Sequence, residues 1–275
     1  MLPLLVRSKN QPGIIIKEGI ELGRVKRLNI EATACQGFSM PVIGVDIGGT
    51  KSRAVLWNGK KVVQAREVPT PENKGDFEKT LLELTSLLSR SARVEGVGIG
   101  AAGIVEKTTL LFSPNIPCLR NLDFRSLCPR SIPLRVDNDA RAFARAELLR
   151  GAGRGAKSMF ALTIGTGIGR AYGRKGKIVK LKRLEYPEPW EREYQAIRNK
   201  RDDKRLANFL AEKLSPLLKP FEPEVIVLGG GVMERHRFMQ RLQTAFRARG
   251  VTAKVRRAAL HKNSVAVGAA LLFSN

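Results

Sequence analysis

The stretch PVIGVDIGGTK, residues 41–51, opens with a continuous apolar run that delivers an aspartate into Gly-Gly-Thr. That pattern predicts a buried strand ending in a tight turn. Gly48 and Gly49 let the backbone N–H groups of such a turn approach phosphate oxygens closely, with the Thr50 hydroxyl and Lys51 beside them. Asp46, at the strand's end, is of the oxygen-donor type that Mg2+ prefers, directly or through water. Downstream, KSRAVLW (51–57) and KKVVQAREV (60–68) continue as antiparallel strands turning at Asn58-Gly59. DFEKTLLELTSLLSR (76–90) spaces Phe77, Leu81, Leu84, Leu87 and Leu88 as a helix does. VEGVGIGAAGIV (94–105) is another buried strand, and LRVDNDARAFARAELLR (134–150) reads strand, turn, helix with Asp139 at the turn.

After GAGRGA (151–156) the pattern begins again. SMFALTIGTGIGRAYG (158–173) predicts a hairpin whose turn, with Gly165, Thr166, Gly167 and Gly169, is a second phosphate-facing loop. KRLANFLAEKLSPLLKPF (204–221) predicts a helix broken near Pro216. PEVIVLGGGV (223–232) runs a strand into Gly229, Gly230 and Gly231, where an adenine or ribose could lie against the backbone. HRFMQRLQTAFRARG (236–250) is amphipathic, and NSVAVGAALLFSN (263–275) closes the chain as a small-residue helix. Two similar halves are therefore expected to face one cleft: residues 41–135 with 264–275, and residues 136–263. Residues 1–40 are expected to be an N-terminal extension, either an added pair of strands or the product of a start codon assigned too early. They are basic, with Arg7, Lys9, Lys17, Arg24, Lys26 and Arg27, and lack a sustained period.

The bulk composition narrows the classes. At 275 residues the chain suits two lobes, and its apolar runs fall far short of the ~20 residues that span a bilayer. A soluble cytoplasmic protein without a membrane partner is expected. Cys35, Cys118 and Cys128 form no CxxC pair, and His236 and His261 are far apart, so no zinc site is expected. Lys and Arg number 49 against 25 Asp and Glu, a net charge of +24. That field attracts polyanions of any kind, and adaptation of a whole proteome to salt or temperature would produce it equally. No helical module that reads nucleic acid is discernible, so no specific nucleic-acid partner is expected.

Three glycine turns in strand contexts, in this order and spacing, resemble the actin-like ATPase (ribonuclease-H-like) fold, an α/β architecture of two lobes around a nucleotide and sugar cleft. Within it the chain resembles the ROK family of sugar kinases. GVDIGGTK (44–51) resembles that family's first phosphate motif. GIGAAGIV (98–105) resembles its sugar-side loop, with Ala102 where proline is usual, and SPNIP (113–117) the loop whose asparagine meets the sugar. VDNDARAFARAE (136–147) resembles the segment carrying the catalytic aspartate. The likeness spans residues 41–275. It implies Asp139 as general base, Gly103, Asn115 and Asn138 on the sugar, ATP with Mg2+ as donor, and a homodimer. The residues alone leave other roles open. Asp139 or Asp137 could cap the helix that follows, Asn115 could serve its turn, and Thr50 and Thr166 could each satisfy their own.

The likeness lapses after Gly169. Where the family usually has a Gly-Glu-x-Gly-His segment and a cysteine zinc loop, this chain has Arg170, Arg174, Lys175, Lys177, Lys180, Lys182 and Arg183, then LEYPEPWEREY. Structural zinc is expected to be absent. Glu185, Glu188, Glu191 and Glu193 are the acidic candidates for sugar contact, with Glu191 preferred and a plain helix start after Pro189 as its alternative. Three functional readings follow: an ATP-dependent hexose kinase, a glucokinase using polyphosphate, and a non-catalytic sugar-sensing protein.

Overall fold

The computed structural model describes residues 40–90 and 92–274. The expected N-terminal extension, apart from Met40, and Cys35 lie outside the described residues. The first half begins with strands β1 (Val42–Ile47), β2 (Lys51–Trp57) and β3 (Val62–Pro69), an antiparallel meander with Asn58 and Gly59 in its second turn. There the Asn58 side chain accepts from the N–H groups of Lys60 and Lys61, and Gly59 takes φ 88°. Helix α1 (Lys74–Ser89) is capped by Asn73 and buries Phe77, Leu81, Leu84 and Leu88. Leu87, expected on that face, is exposed, because it lies off the 3.6-residue stripe set by the other four.

The α1 crossover brings β4 (Gly96–Ala101) parallel to β1. A small antiparallel sheet follows, of β5 (Ile104–Glu106), β6 (Thr109–Phe112) and β7 (Arg120–Asp123). The chain then returns as β8 (Leu134–Asn138), parallel to β4. The first sheet thus has the order β3–β2–β1–β4–β8. It runs on to Asn138, past the break expected at 135, because the pairing of Ala101 with Asn138 completes the ladder. Helix α2 (Asp139–Arg150) starts at the next residue.

The second half repeats the plan. Strands β9 (Ser158–Ile164), β10 (Ile168–Arg174) and β11 (Lys177–Val179) form a meander, and β12 (Val225–Gly229) and β13 (Lys254–Arg257) add in parallel, in the order β11–β10–β9–β12–β13. Helices α3 (Glu191–Asn199), α4 (Asp203–Leu218) and α5 (Phe238–Arg247) cover this sheet around Phe160, Leu162, Tyr194, Leu210 and Phe246. The helix expected to break at Pro216 does not: α4 continues to Leu218. Proline there removes one hydrogen bond in the final turn, where little helix remains to be lost.

The last helix, α6 (Ser264–Ala270), packs back on β1 and β4 and crosses α2. Its backbone lies so close that side chains would not fit. A Cβ at Gly44 would stand 1.9 Å from the Ala266 carbonyl oxygen, and one at Gly268 would stand 1.7 Å from that of Ala142. Gly268→Ala should therefore lower stability by about 1–3 kcal/mol in urea unfolding, through forced separation of two helices. Gly75→Ala, whose new methyl meets nothing closer than 3.8 Å, should stay within about 0.5 kcal/mol of the parent.

Candidate active site

The two sheets present their strand ends to one cleft of about 1780 Å³. Ligand pockets commonly hold roughly 300–1,000 Å³, so this one has room for two substrates together. On one wall β1 ends at Asp46 and turns through Gly48–Lys51, closed by the Gly48 N–H donating to the Lys51 carbonyl at 3.1 Å. Thr70 braces the turn by donating its hydroxyl to the Gly48 carbonyl at 2.7 Å. On the other wall the β9–β10 hairpin turns at Gly165–Gly167, the Gly165 N–H donating to the Gly167 carbonyl at 3.0 Å. The turns face each other, with the Thr50 and Thr166 hydroxyl oxygens 3.4 Å apart. Each hydroxyl thus looks across the cleft rather than into its own turn.

The other predicted phosphate and nucleotide residues lie along the same cleft. Gly229–Gly231 follow β12, and Gly230 needs to be glycine, since φ is 90° and a Cβ would stand 2.5 Å from the Ile164 carbonyl oxygen. Gly169 pairs with Thr163 across the hairpin. Lys51 lines the cleft, but its ammonium is held by Glu67 of β3 at 2.9 Å and not by the turn that it follows.

Where α2 starts beside the cleft, the structure reassigns the helix cap. Neither Asp139 nor Asp137 caps α2; the side-chain oxygen Oδ1 of Asn138 does, accepting from Ala140 N–H at 3.0 Å and Arg141 N–H at 3.2 Å. The Asn138 Nδ2 donates to the Gly103 carbonyl at 2.9 Å, tying β8 to the sugar-side loop. Gly103 sits at φ 136°, pressed on the Phe112 carbonyl. These bonds occupy much of the Asn138 amide that was expected to hold a hydroxyl. Asn115 lies against both phosphate turns: a Cβ at Gly49 would meet it at 2.8 Å and one at Gly167 at 3.2 Å. Its loop is fixed instead by Ser113, whose hydroxyl accepts from the Ile116 N–H at 3.1 Å, which leaves the Asn115 amide without a bonding partner among the described residues.

Asp139, the first residue of α2, has no side-chain partner among the described residues and faces the cleft. Burial pushes its carboxyl up to about 6; the Ala140 N–H, its own N–H and Arg141 pull it down, and Asp137 adds to the rise. Asp46 is pushed up to about 8, first by burial, then by the Asp139 charge, against the opposing pull of Arg53.

Glu191 begins α3 and lines the cleft. Its Oε1 accepts from the Glu188 N–H at 2.9 Å and from Arg170 Nη2 at 2.8 Å. Burial raises its carboxyl, while Arg170 and the backbone N–H groups of Glu188 and Ile168 draw it back. Glu185 also lines the cleft, held by Arg141 of α2, with 5% of its side chain exposed. Sequence reading set Glu185 behind Glu191; the arginine partners, 44 and 21 residues away, carry no local signal. Sequence reading also missed Tyr194 and Arg198 of α3, which both donate to the Gly165 carbonyl at 2.6 Å and brace the second turn from behind. Burial pushes the Tyr194 phenol up to about 12. Of the basic run, Arg170 is buried, whereas Lys177, Lys180 and Lys182 are exposed and do not line the cleft.

A sequence profile of the ROK family matches residues 42–180 and 196–275. The chain belongs to the ROK family. Glucokinase of Streptomyces coelicolor is 34% identical over 135 residues, which cover 46% of this chain and 41% of that protein. The chain spans about half the length of the curated relatives of this kind that it matches. The inorganic polyphosphate/ATP-glucomannokinase of Arthrobacter sp. strain KM superposes with a TM-score of 0.73 at 28% identity, covering 85% of this chain and 98% of that one. A Streptomyces griseus ROK glucokinase solved with glucose and AMPPNP shares the fold, with a TM-score of 0.73 at 24% identity over 84% and 98%. The two repeated sheets are thus the two lobes of an actin-like ATPase fold. No described helix is long and apolar enough to cross a membrane.

Because Asn138 caps α2 and anchors Gly103 together, Asn138→Ala should cost about 1–2 kcal/mol in urea unfolding. Asn138→Ser keeps a capping oxygen but cannot reach Gly103, and should recover only part of that loss.

Proposed function

We propose that this ROK protein is a kinase that transfers the γ-phosphoryl group of ATP to a hydroxyl of a neutral hexose. The observation that carries the reading is Asp139: a cleft-facing carboxylate without a side-chain partner, beside two phosphate turns whose hydroxyls meet at 3.4 Å. The glucokinase relatives and the glucose- and AMPPNP-bound neighbour support the same substrate pair.

In this mechanism the N–H groups of the turns at Gly48–Thr50 and Gly165–Gly167, with Thr50 and Thr166, hold the phosphates, and Gly229–Gly231 receive the nucleoside. Phosphoryl transfer demands positioning and charge neutralisation more than covalent assistance. Asn115 and the Gly103 loop orient the acceptor, and Glu185 or Glu191 can accept from its other hydroxyls. As the acceptor oxygen attacks, its proton passes to Asp139. The donor set fits Mg2+: Asp46 is a buried carboxylate with no side-chain hydrogen bond among the described residues, close enough to Asp139 to feel its charge. Mg2+ asks for one or two carboxylates plus phosphate and water oxygens. Asp46 would hold the ion, which when bound neutralises charge developing on the phosphates. No group of three His, Cys, Asp or Glu gathers among the described residues.

A polyphosphate donor is the second reading. Arg192, Arg201 and Lys262 line the cleft with no acidic partner among the described residues, and the Arthrobacter neighbour uses either donor by its name. Those three, and not the exposed Lys177, Lys180 and Lys182, are the cleft cations that a polyanionic donor would meet. If polyphosphate is used, its turnover should fall more steeply with salt than ATP turnover, and Arg201→Glu should lower polyphosphate turnover and flatten that salt dependence.

A matrix of hexoses and amino sugars against ATP, GTP and polyphosphate, read as sugar phosphate formed, tests the whole reading; turnover of none of them would refute it. Asp139→Asn should lower kcat about 10²–10⁴-fold while ATP still binds. Because the base must be ionised, kcat/KM should rise with pH through about 6 and level off above it. A profile that is flat from pH 5 to 8 would remove Asp139 from that role.

A further inference from the structure

The family profile matches on both sides of residues 181–195 but not within them. This unmatched segment nevertheless forms part of the cleft, through Leu184, Glu185, Glu188 and Glu191. Its two buried carboxylates are each held by a buried arginine from a matched element. Arg141, on the first turn of α2, bonds Glu185, and its Nε bonds Asp137 at 2.5 Å. Asp137 is itself held by Arg145 at 2.6 Å. Arg170, on β10 with 2% of its side chain exposed, bonds Glu191 at 2.8 Å and donates to the Tyr186 carbonyl at 2.6 Å. The far end of α3 then grips the second phosphate turn through Tyr194 and Arg198.

We propose that Arg141 and Arg170 are positioning residues that set the acceptor wall of the cleft, holding Glu185, Glu191 and the backbone between them where an acceptor's hydroxyls bind. The inference rests on the kinase reading for its substrate. Stability alone is a poor reason for this arrangement, because buried ion pairs rarely outperform apolar packing of equal volume. Arg170 Nη1 is in addition buried with no partner among the described residues, a cost that a purely structural side chain would shed by substitution. Each arginine is paired with a carboxylate, so the wall carries little net charge. It offers carboxylate oxygens to hydroxyl donors, which favours a neutral polyhydroxyl acceptor over an anionic one.

The test uses the full chain with D-glucose, or whichever neutral hexose the parent turns over best, and compares Arg170→Met, Arg170→Lys, the double variant Arg170→Met/Glu191→Met and the surface control Arg174→Met. Arg170→Met should raise the acceptor KM about 10-fold or more and leave the ATP KM within about 2-fold, as loss of a charged hydrogen bond on one substrate's side does. Arg170→Lys should recover part of the acceptor KM, and the control Arg174→Met should match the parent in both constants. The double variant removes both charges and should melt close to the parent while keeping the raised acceptor KM. A folded Arg170→Met with the parent acceptor KM overturns the proposal, as does a double variant whose acceptor KM returns to the parent value, or acceptor and ATP KM rising together. If the parent turns over no sugar, the kinase reading fails first; the positioning role is then read from D-glucose binding by calorimetry, where equal affinity of parent and double variant overturns it.

Discussion

A helix must begin where a strand of the first sheet ends, and one asparagine makes that junction. The main chain of Asn138 closes the β4–β8 ladder opposite Ala101, its side-chain oxygen caps α2, and its side-chain nitrogen fixes the Gly103 loop. Three directions are set by that single residue. Asp139 follows at once and is turned to the cleft, and Arg141, one half-turn on, reaches across to the segment after β10. With the cap supplied by an amide, the Asp139 carboxylate is left facing the cleft without a side-chain partner among the described residues, as the proposed proton transfer requires.

The far end of α2 carries an equally demanding junction. Glu147 is fully buried and accepts from the N–H groups of Ala152, Ala259 and Leu260 and from the Ser264 hydroxyl. It therefore joins the end of α2 to the passage from the second sheet into α6. The glycine contacts that bring α6 against β1 and α2 lie just beyond this passage. One helix thus reads both sheets: its N-terminus looks into the cleft and its C-terminus holds the chain that returns to the first sheet.

Much of this was legible in sequence because it is written in local signals. Asn58-Gly59 and the Gly229–Gly231 turn declare a positive-φ backbone that few other residues allow, and the Gly-Gly-Thr and Gly-Thr-Gly turns stand out by composition at strand ends. The strands between them are apolar runs, and the repeat of the pattern announces the two-sheet plan. What was not legible is what depends on partners distant in the chain. Whether Pro216 ends a helix depends on how much helix follows it. That Asn138, and not an aspartate, caps α2 depends on Gly103, 35 residues earlier. The basic run after Gly169 looked uniform, yet Arg170 lies buried inside β10 while Arg174, on the same face at the strand's end, is exposed.

The buried arginines also bear on the chemistry of Asp139. A proposed general base works best with a pKa near the pH at which it operates. Burial alone would carry the Asp139 carboxyl upward, and a free guanidinium two residues on would cancel much of that rise through its charge. Arg141 is not free: Asp137 and Glu185 take it from both sides, and Asp137 shares its other oxygen with Arg145. Burial raises the Asp139 carboxyl, the backbone N–H groups and Arg141 draw it back, and it stands at about 6. A carboxylate with that value is ionised at neutral pH yet retains basicity that an ordinary surface aspartate lacks.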